Sequence, residues 1–171
     1  MANPTLVQLA TTTVGSGGVS SVTFSSIPQT YTDLKLVVSG KTDYTGAAYD
    51  LGYVGFNGVT TNLSFIRLQG SGSAASSTSG TGGIFFRANA SGTGSTNTFG
   101  NAEIYIPNYT GSTNKSASVD SVEENNGTEA YTGLFAGLWS STAAITSLTA
   151  YPNNGNWAQY STFYLYGIKN S

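Results

Sequence analysis

The 171-residue chain has no cysteine and no histidine, and only 8% of its residues are charged. Without cysteine there is no disulfide framework and no thiolate metal site, and the redox compartment leaves no trace. Without histidine there is no Ser-His-Asp or Cys-His nucleophile, no zinc site of the ordinary kind and none of the commonest general base. The six basic residues, Lys35, Lys41, Arg67, Arg87, Lys115 and Lys169, are scattered along a chain of net charge −2. Phosphate backbones are bound by clustered Lys and Arg, so nucleic acid is not expected as a direct partner. No apolar run approaches the roughly 18 residues of a membrane helix, so no membrane partner is expected either. The N-terminal sequence MANPTLVQLA lacks a basic segment followed by a long apolar core. No signal peptide is expected, and cytoplasmic synthesis follows.

A sustained 3.6-residue period is also missing, which argues against helices. The period that is present is 2. The chain is organised around Phe24 to Ser39, FSSIPQTYTDLKLVVS. Pro28 fixes its own φ and has no N–H, so a corner forms there, and Ile27 before it is biased to extended backbone. Leu34, Leu36 and Val38 then alternate with Lys35 and Ser39, the signature of a strand with one buried face. Val37 interrupts the alternation, which predicts partial cover on both faces.

Similar stretches recur at Leu6–Thr11, Val19–Phe24, Tyr49–Asn57, Leu63–Gln69, Ile84–Phe86, Phe99–Ile106, Ser116–Glu123, Tyr131–Trp139, Ile145–Tyr151 and Tyr160–Ile168. Asn57-Gly58 is a tight-turn signal, and Pro152 to Trp157 joins the last two stretches. The fold class is therefore all-β, a single-domain antiparallel β-sandwich of jelly-roll type over residues 19–171, with residues 1–18 as an N-terminal strand or arm. That arm either pairs as an edge strand of its own domain or docks on a neighbouring subunit. Gly70 to Gly83 is too poor in large apolar groups to build a core. It is either a disordered loop or an extended segment held by a partner.

The run Ser26 to Leu34, SIPQTYTDL, with Asn57-Gly58 and the closing Leu165-Tyr166-Gly167-Ile168, resembles a family of small β-rich virion proteins of tailed bacteriophages. In pattern the resemblance spans about Val19 to Ile168. Family members occur as capsid decoration (cement) proteins and as modules of tail fibres or tail tips. The resemblance implies a virion component assembled in a bacterial host cytoplasm, with the major capsid protein and other virion proteins as partners. Between Met1 and Ser171 there is no coiled-coil or triple-stranded shaft, so a small stand-alone decoration protein is expected ahead of a fibre module that binds a receptor or glycan.

Composition agrees with a protein that lives in contact. With 22 glycines, few charges and abundant Ser, Thr and Asn, the surface has little electrostatic protection from association. A homo-oligomer is expected, although no residue pattern specifies its symmetry. The arm residues Leu6, Val7 and Leu9, and the near-turn aromatics Tyr105, Tyr109, Tyr151 and Trp157, are the candidate partner contacts. Rings with polar tips suit protein interfaces and also suit stacking on sugars, so a glycan stays open as a ligand.

No enzyme and no cofactor are expected. A carboxylate pair is the one catalytic scheme the composition leaves, and no motif brings two of the eight acids together. Asp120, Glu123, Glu124 and Asn125 form one acidic cluster, but it lacks the glycine-turned loop of a Ca²⁺ site, so no metal is expected. The glycine-rich stretches near Gly70 and Ser91 lack the Lys-Ser/Thr and helix of a phosphate cradle. The N-x-S/T matches at Asn62, Asn89, Asn108, Asn114 and Asn126 are what chance gives in a chain so rich in these residues.

Overall fold

A computed structural model describes residues 5–90, 97–125 and 130–169. The expectations placed on the first four residues of the arm, on the glycine-rich stretch at Ser91 and on Asn126 lie outside those residues. Twelve strands are formed: β1 (Leu6–Thr13), β2 (Val22–Phe24), β3 (Asp33–Gly40), β4 (Tyr49–Phe56), β5 (Leu63–Gly70), β6 (Ala75–Thr81), β7 (Ile84–Asn89), β8 (Gly100–Ile106), β9 (Lys115–Glu123), β10 (Tyr131–Trp139), β11 (Leu148–Pro152) and β12 (Thr162–Ile168). Among the described residues no helix is long and apolar enough to cross a membrane.

The strands make two antiparallel sheets, an eight-stranded one in the order β1-β12-β3-β8-β9-β10-β5-β6 and a four-stranded one in the order β2-β11-β4-β7. Two hairpins, β5–β6 and β9–β10, widen the large sheet. With them set aside, the remaining eight strands pair first with last, second with seventh, third with sixth and fourth with fifth. That is the strand order of one long hairpin rolled into two facing sheets, as in a jelly roll.

β3 is an interior strand of the large sheet, between β12 and β8, and its Leu34, Leu36 and Val38 are buried. The Pro28 corner brings the chain to β3 from the small sheet. Gln29 pins it by donating to the carbonyls of Ile27 (2.8 Å) and Ile145 (3.0 Å), and the Tyr109 hydroxyl donates to the carbonyl of Pro28. Opposite β3, Trp157 lies parallel to Phe86 (centroids 5.9 Å, 3°) and edge-on to Phe163, and donates its indole N–H to Ala150 (3.1 Å).

The large sheet curls around β7, the edge of the small sheet, so every side chain of β7 is buried. Phe85 on one face of β7 meets Phe65 of β5 and Phe135 of β10, while Phe86 on the other meets Trp157. Glycine allows the close approach: a Cβ on Gly137 of β10 would come within 2.6 Å of Ile84.

Several boundaries differ from the sequence expectation. The segment Gly70 to Gly83 is not a disordered loop: its middle is β6, paired with β5 through Gly70↔Ala75 to Ser64↔Thr81. β2 covers only the end of Val19–Phe24, and β11 begins at Leu148 although Ile145 is fully buried. The N-terminal strand pairs with β12 of its own chain, with a register shift between Gln8 and Ala10.

Candidate docking surface

In β10, Gly133, Phe135, Gly137 and Trp139 turn inward, and Thr132, Leu134, Ala136 and Leu138 turn outward. The strand is thus apolar on both faces, although only one face has a core to meet. Its neighbour β5 repeats the pattern, with Phe65 packed on the core and Ile66 and Leu68 outward. Cross-strand pairing sets Leu134 beside Leu68 and Ala136 beside Ile66. Ile66, Leu134 and Leu68 are 60%, 59% and 54% exposed, and Leu138 is exposed as well.

Ile66, Leu68, Leu134 and Ala136 form one wall of a shallow groove of about 610 Å³ on the outer face of the large sheet. The groove runs over Ser118 and Asp120 of β9 to Tyr105, Lys35 and Glu103. Lys35 and Glu103 pair at 2.6 Å, and the Tyr105 hydroxyl donates to Asp33 at 2.9 Å. That hydrogen bond to a carboxylate raises the phenol's pKa and fixes the ring as the groove's far rim. The surface is mostly apolar, with a compensated ion pair at one end.

Three aspartates hold turns and strand ends in place. Asp33 accepts from the Asn108 N–H (2.8 Å), and Asp43 accepts from the Asn156 N–H (2.7 Å) and side-chain amide (3.2 Å). Asp50, buried, accepts from Leu51 (2.8 Å) and from the backbone and side chain of Asn154 (3.2 and 3.1 Å). Burial raises the pKa of Asp50, and these hydrogen bonds oppose the rise. The acidic cluster of the sequence does not converge: Asp120 is exposed on the outer face, whereas Glu123 is buried inside with Arg87. Burial lowers the pKa of Arg87, Glu123 opposes that shift, and the guanidinium lies 4.1 Å from the Tyr131 ring centroid. Among the described residues no group of three acids is placed to hold a metal ion.

The predicted contact residues separate into three groups. Trp157 and Tyr109 have no exposed surface, so their assignment as partner contacts is corrected. Trp157 is drawn inward because the backbone around it bridges Val19 and Thr42, and Tyr109 because its hydroxyl reaches Pro28. Tyr151 is half-buried and stacks on Tyr53 (5.5 Å, 14°) on the outer face of the small sheet. Tyr105 stands at the groove, while Leu6, exposed, and the half-buried Val7 and Leu9 lie on β1 at the far edge of the same sheet. Ile66, Leu68 and Leu134 escaped the sequence reading. Their signal was the second apolar face of β5 and β10, visible where large apolar residues stand side by side, as in Phe65-Ile66, Leu134-Phe135 and Leu138-Trp139, instead of alternating with polar ones.

No protein-family model, curated protein or solved structure matches this chain.

Proposed function

We propose that the chain is a non-enzymatic structural protein that adheres through the outer face of its large sheet to a larger assembly. The observation that carries this reading is the apolar band of Ile66, Leu68, Leu134 and Leu138 on a sheet face remote from the core. Large exposed apolar patches on otherwise polar surfaces mark interaction sites. In a chain with 8% charged residues, little else on the surface would oppose contact.

The resemblance of the Ser26–Leu34, Asn57-Gly58 and Leu165–Ile168 motifs to phage virion proteins supports a specific assembly: the head of a tailed phage, with the major capsid protein as partner. Each copy bound across adjacent capsid subunits adds interface that must be broken before the shell opens, which stabilises the shell by linkage. The test is electron cryo-microscopy of particles that carry the chain. Hundreds of copies on the head lattice, with the groove face toward the shell, are expected. Copies confined to the tail, or a lattice contact through another face, would overturn the decoration role.

One observation favours a second reading, a tail-borne glycan binder. The stacked Tyr53 and Tyr151 adjoin a recess of about 220 Å³ bounded by Phe65, Arg67 and Phe85. Glycan-array binding lost on Tyr53→Ala, with the fold intact, would support it, and binding that survives that change would remove it.

A further inference from the structure

We propose that β6 is a self-association edge, and that two copies of this chain join through it in antiparallel pairing about a two-fold axis at Thr78. β6 is the last strand of the large sheet, and all seven of its residues are exposed. Natural sheet edges are protected by Lys, Pro, bulges or covering segments. β6 has none of the first three: no charged residue and no proline occurs between Arg67 and Arg87, and its pairing with β5 has no register shift. The opposite edge, β1, carries such a shift between Gln8 and Ala10.

The hydrogen-bond phase shows which backbone groups β6 presents. The Gly82 N–H donates to Leu63 and the Ser71 N–H to Ala74, both at 2.9 Å. In the same register, the hydrogen-bonded pairs of the hairpin fall at alternate positions: Phe65 with Gly80, Arg67 with Thr78, and Gln69 with Ser76. Ser76, Thr78 and Gly80 therefore direct their N–H and C=O groups to β5. Ala75, Ser77, Ser79 and Thr81 direct theirs away from the sheet.

A two-fold axis at Thr78 matches this phase. It sets Ser77 opposite the second copy's Ser79, and Ala75 opposite its Thr81. These are the residues with outward groups, so each forms a hydrogen-bonded pair. Thr78 meets its own copy in a non-hydrogen-bonded pair, as required of a residue whose groups are engaged with β5. Every opposed pair is small or hydroxylated, with neither steric conflict nor like charge. Ser77 and Ser79 share the outer face with Leu68 and Ile66. The apolar bands of both copies then flank the axis and merge into one docking surface, so the dimer extends the adhesion reading without depending on it.

Sedimentation equilibrium of the whole chain, from about 1 µM to about 1 mM, tests the proposal. A concentration-dependent dimer is expected in the parent protein, together with monomer throughout that range for Ser77→Pro and Ser79→Lys. Both changes act on the free edge, where proline removes an outward N–H and lysine introduces like charge near the axis. Hydrogen exchange gives an independent reading in the unaltered chain: the Ser77 and Ser79 amides should gain protection as concentration rises, while Thr78 and Gly80 should not. A parent protein that stays monomeric, a dimer that survives both substitutions, or equal protection changes at all four amides would overturn the assignment.

Discussion

Three single residues separate effects that the sequence alone leaves mixed. Leu36 has no exposed surface and sits in an interior strand of the large sheet, so Leu36→Ala should lower the unfolding free energy by about 2 to 5 kcal/mol in urea titration. Asn57 holds the turn at φ 53° and also stitches it to the 144–147 segment, donating to Ala144 (2.8 Å) and accepting from Thr146 (2.8 Å) and Ser147 (3.1 Å). Asn57→Gly keeps the turn conformation and removes the stitching, for an expected loss of about 1 to 2 kcal/mol. Asp50 sets a pH dependence. Its pKa is raised on folding, so the folded state holds the proton more tightly than the unfolded chain. Its contribution is greatest below the unfolded carboxylate pKa and is lost as pH rises through the folded one. The stability of the parent protein relative to Asp50→Asn should therefore decline as pH is raised from about 3 to about 7, read from urea midpoints at each pH. A relative stability that grew with pH would mean that hydrogen bonding outweighs burial at this carboxylate.

At the scale of elements, strands with one buried face were legible. Ala102, Ile104 and Ile106 of β8, and Phe163 and Leu165 of β12, alternate with less buried neighbours along the strand. Tyr131–Trp139 was delimited to the residue. β6 was not legible, because no side chain in it is buried and its strand character comes from backbone pairing with β5. Trp157 misled for the complementary reason: a turn in sequence is not a turn at the surface when its backbone bridges the core side of two other segments. The packing of β10 over β7 illustrates a further element property that composition hides. Gly137 lacks a Cβ where Ile84 stands, so Gly137→Ala should cost about 1 to 3 kcal/mol through overpacking. Ile84→Val in the same chain should recover part of that loss, since the two changes act on one contact. Strict additivity in a double-mutant cycle would show that the strands have shifted apart instead.

For the whole molecule, stability and adhesion should come apart. The core lies between the sheets, while Ile66, Leu68 and Leu134 lie on the outer face. Leu134→Asp should lower the unfolding free energy by only about 1 to 2 kcal/mol, the cost of a poor strand former set opposite Asp120, which is less than the core change at Leu36. The same change introduces a charge into the centre of the proposed contact, next to Asp120, and should weaken co-sedimentation with shells lacking the protein by about tenfold or more. Salt discriminates the kind of contact. On the groove, Lys35 is already paired with Glu103, so adhesion driven by the apolar band should vary little between about 50 and about 500 mM salt, where screening of exposed charges becomes strong. Binding that collapsed over that range, or a Leu134→Asp protein that bound as well as the parent, would move the contact to a charged surface and leave the apolar band without its assigned partner.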